Sequence, residues 1–386
     1  MVFTFPGFGS LRYIVPKIMN EFGLEYVLPE ENGSILDKGV ELSPEEMCLP
    51  FKYMIGSLAA AYEKGADTVI MASTAGPCRL GEYGELMAGL LEDAGFRYRW
   101  IMLDTPSDIG VTELLTRIQM IFCDKERVGL FRIMKAVAAG FCILYRFEKI
   151  ERQLLEKAGY LEDPREAVRM MNRMERGLHD EESLSGCRHI LKRIKKDIRN
   201  MSFSENTDPV KILVVGEIYT SAETAANRDL ERFLASEGCS VERRIDVTWW
   251  FRKTVSSIAD SFALVRLIRG IRRKLSGADT MPCGVGGYSR ETADMIIQSA
   301  GRADGVIKIM PAGCMPEIVA KSYCEKRHEA AGLRILHLVF DEISGDAGYE
   351  TRIEAFIDML ERRKHVLAGD RYRFDKHRPC SHGQQF

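Results

Sequence analysis

The sequence has no apolar run approaching the ~20 residues of a bilayer-spanning helix, so no transmembrane helix is expected. It has almost no net charge. Lys and Arg number 54 against 56 Asp and Glu, a formal −2, which argues against nucleic-acid coating and against binding to an anionic membrane surface. Residues 1–7 lack a charged leader, an apolar stretch and a cleavage site. They read as a first strand rather than an export signal, and the expected compartment is the cytoplasm. There is no Gly-x-x-x-x-Gly-Lys-Ser/Thr phosphate loop, and no Gly-x-Gly-x-x-Gly follows Val210–Val215, where Gly216-Glu217-Ile218 stands instead. A built-in ATPase or nicotinamide site is therefore not expected. No Cys-x-x-Cys pair occurs either, although zinc sites made of thiolates alone generally bring such pairs.

What is present is an ordinary globular composition, 46% hydrophobic and 28% charged over 386 residues, enough for about two domains. In the first 125 residues, β-rich runs at 2–5, 25–29, 68–72 and 99–103 alternate with helical patterns at 11–22, 50–64, 82–93 and 112–122. Gly65 and Gly95 stand where helices should end. From about residue 130 to 201 the strand-like sequence vanishes and apolar residues fall at helical spacing. The basic run over 188–199 reads as a solvated helix face. Alternation resumes at the buried strand Val210–Val215, with further strands at 241–247, 305–310 and 334–340 and helices at 225–236, 316–331 and 351–365. The expected fold is α/β: two Rossmann-like (flavodoxin-like) parallel-sheet domains, residues 1–129 and 209–368, joined by a helical connector over 130–208 and followed by a polar tail, 369–386. An internal echo supports two units. Ala66-Asp67-Thr68-Val69-Ile70 leads to Ala75-Gly76-Pro77-Cys78, and Ala303-Asp304-Gly305-Val306-Ile307 leads to Ala312-Gly313-Cys314. Each places a cysteine just past a strand's carboxyl end, the edge where open α/β sheets bind ligands.

Ten cysteines in a cytoplasmic chain are not a disulfide framework. Cys48-Leu49-Pro50 and Cys314-Met315-Pro316 set each thiol just ahead of a helix start, where free amides and the helix dipole favour thiolate. Cys78 lies in a glycine-flanked polar loop beside Arg79, and Lys52 falls one helical turn beyond Cys48. Arg79 and Lys52 are expected to offset negative charge there. Cys283, in a glycine-rich loop, is a candidate additional ligand. Cys123, Cys142, Cys187, Cys239, Cys324 and Cys380 read as core or incidental thiols. Soft thiolates select zinc, cuprous copper or iron–sulfur clusters, and three thiols from separate loops suit a larger inorganic object best. Glu46, Glu82, Tyr83 and Glu317 flank these cysteines, with nothing in the sequence to rank them as acid or base.

Glu46-Met47-Cys48-Leu49-Pro50-Phe51-Lys52, Gly76-Pro77-Cys78-Arg79-Leu80-Gly81-Glu82-Tyr83 and Gly313-Cys314-Met315-Pro316-Glu317 together resemble the 2-hydroxyacyl-CoA dehydratase superfamily. The nearest likeness is to its uncharacterised branch labelled as a CoA-enzyme activase domain, related to benzoyl-CoA reductases and double-cubane cluster proteins. Residues 341–348 and 351–356 look like that branch's C-terminal signature. The resemblance implies a 4Fe–4S cluster between two domains, held by Cys48, Cys78 and Cys314. It implies oxygen-sensitive reductive or radical chemistry on an acyl-CoA or small substrate, fed by one electron from a separate ATP-dependent activator protein. A homo- or heterodimer is compatible with it. Two other classes stay open on the residues alone: a non-catalytic iron–sulfur carrier, delivery factor or redox sensor, and a structural zinc site.

Overall fold

The structure is a computed structural model that describes residues 1–30, 33–72, 79–104, 109–122, 128–205, 208–259, 288–328, 332–343 and 345–367. The first unit comprises β1 (Val2–Thr4), α1 (Leu11–Asn20), β2 (Glu25–Tyr26), α2 (Gly33–Leu42), α3 (Leu49–Glu63), β3 (Thr68–Ala72), α4 (Tyr83–Asp93), β4 (Arg99–Leu103) and α5 (Val111–Phe122). Three helices follow, α6 (Leu130–Ala158), α7 (Arg165–Asp180) and α8 (Leu184–Asp197). The second unit comprises β5 (Lys211–Gly216), α9 (Ile218–Ala222), α10 (Thr224–Asn227), α11 (Leu230–Ser236), β6 (Ser240–Arg243), α12 (Val247–Ala259), α13 (Ser289–Gln298), β7 (Gly305–Pro311), α14 (Met315–His328), β8 (Arg334–Phe340) and α15 (Asp346–Leu367).

The described strands form two four-stranded sheets in the orders β2-β1-β3-β4 and β6-β5-β7-β8, with every pairing parallel. The two orders are the same, second-first-third-fourth, as expected for two Rossmann-like units. Parallel strands must be covered on both faces, and β7 is accordingly buried along its whole length. The echoed aspartates do equal work in both sheets. Asp67 donates its N–H to the Val2 carbonyl (2.9 Å) and accepts from the Val2 amide (2.9 Å). Asp304 does the same with Lys211, at 2.8 Å in each direction. Each aspartate thus fixes the third strand against the first.

Gly65 and Gly95 follow α3 and α4 with φ of +97° and +91°, the left-handed ends their positions require. Two expectations shift. The helix expected over 225–236 is broken after α10, where Arg228 and Asp229 are both left-handed (φ 58° and 56°), and the turn carries the Arg228 guanidinium over the Tyr349 ring at 4.8 Å. The strand expected to reach residue 247 stops at Arg243, because the chain turns to start α12. Asp246 caps that helix by accepting from the Trp249 amide at 2.7 Å. One continuous apolar cluster runs from Ile14 and Leu58 through Leu154 and Met171 to Ile212 and Phe356, so the connector helices share a core with both units. The basic residues Arg188, Lys192, Arg193, Lys195 and Lys196 are exposed on α8, a solvated face. No helix among the described residues is long and apolar enough to cross a membrane. The glycine-rich loop at 284–287 and the tail past 369 lie outside the described residues.

Candidate functional site

Cys48 is the N-cap of α3, in extended conformation (φ −72°, ψ 156°), with proline in the first turn. Its carbonyl accepts from the Phe51 amide at 3.0 Å. Cys314 heads α14 in the same way: its amide donates to the Pro311 carbonyl (3.2 Å) and its carbonyl accepts from the Ile318 amide (3.0 Å). Both thiols therefore stand at the positive end of a helix longer than eight residues, where a thiolate is favoured. Cys48 is half-buried and Cys314 is buried.

The two turns border one seam. At the carboxyl edge of the second sheet, the Ala312 amide donates to the Phe340 carbonyl at 2.8 Å, which sets the ends of β7 and β8 side by side. Two residues beyond Ala312 is Cys314, and two beyond Phe340 is Glu342. The Glu342 carboxylate takes the ammonium of Lys52, whose side chain is only 3% exposed and which lies one turn past Cys48. An ion pair thus crosses between the units next to both thiol-bearing turns. Further contacts close the seam. Tyr53 donates to the Ala225 carbonyl (3.1 Å), and Arg12 grips the Glu223 carboxylate through both oxygens (2.7 and 2.8 Å). Glu223 also accepts from the Gly9 amide at 2.9 Å. Gly9 lies in the loop after β1 and Glu223 at the α9–α10 junction in the β5–β6 connection, so the connections that follow the first strand of each sheet touch.

Three groups here were missed or left unranked in the sequence: Glu342, Tyr83 and Lys308. Glu342 carries no local signal, because its partner is far away in the chain. The Tyr83 hydroxyl touches the Cys48 sulfur, and only tertiary contact separates Tyr83 from the other polar residues near the cysteines. Lys308 is the third, and its signal was readable: a lysine inside an otherwise apolar strand. It is fully buried, with Nζ donating to the Glu317 carbonyl (2.5 Å) and paired with the Glu317 carboxylate (2.8 Å), to which Thr292 adds a hydroxyl at 3.1 Å. Glu317 sits three residues past Cys314, so this buried network fixes the first turn of α14.

Cys78 and Cys283 lie outside the described residues, as do Cys123 and Cys380. Arg79 opens a short 3-10 turn (Arg79–Glu82), and its side chain is likewise outside. Among the described residues no three His, Cys, Asp or Glu side chains are grouped as metal ligands. The remaining described thiols differ from Cys48 and Cys314. Burial pushes the Cys187 thiol up to about 11 and the Cys239 thiol up to about 12, which keeps both protonated. Cys324 is buried within α14, and Cys142 is exposed on α6 rather than packed in the apolar pattern around it.

Residues 151–360 match the family model for 2-hydroxyglutaryl-CoA dehydratase, D-component. The matched span is more than half of the chain and contains the end of α6, all of α7 and α8, the second sheet and Cys314. No curated protein matches the chain.

Proposed function

The chain belongs to the 2-hydroxyglutaryl-CoA dehydratase D-component family, and from that premise we propose a dehydratase-like subunit that holds a 4Fe–4S cluster at its inter-unit seam. Cys48, Cys78 and Cys314 are the proposed ligands, with Cys283 as an additional candidate. The division of labour follows the chain: residues 1–129 supply two thiols, 209–368 supply the third, and 130–208 hold the two units together. When bound, such a cluster supplies one-electron reducing chemistry and, with three protein thiolates, keeps one iron for an outside ligand. The electron comes from a separate ATP-dependent activator protein, and the substrate is an acyl-CoA or another small molecule.

The observation that carries this reading is the placement of Cys48 and Cys314 at two helix N-termini on either side of the Lys52–Glu342 pair. The donor set fits the group, since soft thiolates favoured by helix dipoles are what an iron–sulfur core binds. The chain's own residues then have definite work. The N-termini of α3 and α14 favour binding of an anionic sulfur at Cys48 and Cys314, Lys308 and Glu317 lock the Cys314 turn, and the Lys52–Glu342 pair keeps the units at fixed spacing. Lys52, already paired with Glu342, and Arg79 are the cationic residues proposed to offset the cluster's negative charge.

Anaerobic purification with iron and sulfide analysis and EPR tests the proposal. About four irons and four sulfides per chain are expected, with a spectrum altered by added acyl-CoA. Cys314→Ser abolishes cluster retention, whereas Cys239→Ser, a buried core thiol, leaves it intact. Equal retention in the two variants refutes the ligand assignment. One zinc and no sulfide ends the iron reading, and a cluster indifferent to acyl-CoA marks a carrier instead of a dehydratase component.

A further inference from the structure

Tyr83 is the first residue of α4, and its side chain is buried at 2% exposure. Its hydroxyl contacts the Cys48 sulfur. The ring is held by Phe51 on the first turn of α3, edge to face, with centroids 4.9 Å apart. Cys48 and Phe51 are three residues apart, so one helix start supplies both the sulfur that the hydroxyl touches and the ring that steadies it. The direction of the hydrogen bond follows from chemistry. A thiolate has no hydrogen, so against an ionised Cys48 only the phenol donates.

Resting on Cys48 as a cluster ligand, we infer that Tyr83 is a positioning residue whose hydroxyl donates to the Cys48 thiolate and raises the reduction potential of the bound cluster. One-electron reduction adds negative charge to the cluster and its sulfurs. A buried donor aimed at one of those sulfurs stabilises the added charge, and hydrogen bonds to ligand sulfur are among the levers that set iron–sulfur potentials. The donor sits in a protein interior, where such a bond is stronger than in water. In sequence, Tyr83 closes the motif that contains Cys78, five residues earlier.

The experiment is an anaerobic redox titration of the intact chain followed by EPR, with iron and sulfide measured on the same samples. Tyr83→Phe keeps the ring and removes only the donor. It is expected to retain full iron content and to disfavour reduction about tenfold, a potential about 59 mV more negative. Fluorotyrosine at position 83 is a stronger donor and is expected to shift the potential in the opposite direction, measured at a pH where the phenol stays protonated. A role confined to packing does not produce shifts of opposite sign. Full iron content with unchanged potentials in both substituted chains overturns the inference and leaves the cluster reading standing. No iron or sulfide in the unsubstituted chain overturns the cluster reading, and this inference with it. Should Tyr83→Phe fail to fold, the fluorotyrosine chain decides alone: a positive shift supports the inference, and none refutes it.

Discussion

A carboxyl group taken into the interior resists ionisation, and Glu148 on α6 is such a group. Burial, and after it the negative charge of Asp246, push its pKa up from 4.5 to about 8. The hydrogen bonds from Ser10 Oγ (2.6 Å) and from the Val247 and Thr248 amides (3.1 and 2.9 Å) pull the other way and do not prevail. The sign follows from proton counts. Between about 4.5 and about 8 the folded chain holds a proton on Glu148 that the unfolded chain has released. Stability from this group is therefore complete below that window and falls through it as pH rises, by up to ~1.4 kcal/mol per pH unit. Glu148→Gln should flatten the pH dependence of the urea midpoint across the window by about one proton, whatever it does to stability at a single pH. An unchanged slope would show that the carboxyl is already ionised in the fold. At this same scale the thiols were only half legible. Cys48 and Cys314 announce their helix starts through the proline two places on, but burial of Cys187 and Cys239 is a property of packing.

At the scale of elements, the first turn of α3 is placed by a helix that the sequence did not announce. The reading gave no element between the second strand and residue 50, yet α2 lies there and crosses α3 at backbone contact. A Cβ on Gly39 of α2 would come within 1.8 Å of the Lys52 carbonyl oxygen, and one on Gly56 of α3 within 2.0 Å of the Ile35 carbonyl oxygen. The two glycines are reciprocal notches, and the carbonyl that fits the first notch belongs to the residue whose side chain pairs with Glu342. Gly39→Ala should cost ~1–3 kcal/mol in urea unfolding by overpacking, and should loosen the Lys52 turn. Gly89→Ala on α4, where nothing lies within 4 Å of the added carbon, should instead gain ~0.5–1 kcal/mol. Loss of stability in both variants would argue against the notch. α2 escaped notice because it is only ten residues long and its inward face interrupts Ile35, Leu36 and Leu42 with the notch at Gly39, which shortens the apolar pattern available to read.

At the scale of the molecule, the seam is held by charge as well as by the shared core. Glu223 is 1% exposed, and Arg12 answers it from the other unit. Removing the guanidinium takes the positive charge from a buried carboxylate that keeps only amide donors, so Arg12→Met should cost ~3–5 kcal/mol, and adding Glu223→Met should recover part of that. Additive effects of the two substitutions would mean that the pair does not couple the units.

The sequence by itself determined the two parallel sheets, because strand patterns, helix-ending glycines and the echo around Asp67 and Asp304 are local and repeated. It also determined that Cys48 and Cys314 begin helices, because proline placement is local chemistry. Tertiary structure alone decided which long-range partners those turns would have. The Lys52–Glu342 pair joins residues 290 positions apart, and the Tyr83 hydroxyl reaches Cys48 from a different helix. Such contacts depend on how units dock, and no periodicity or spacing along the chain records the direction in which a folded side chain finally points.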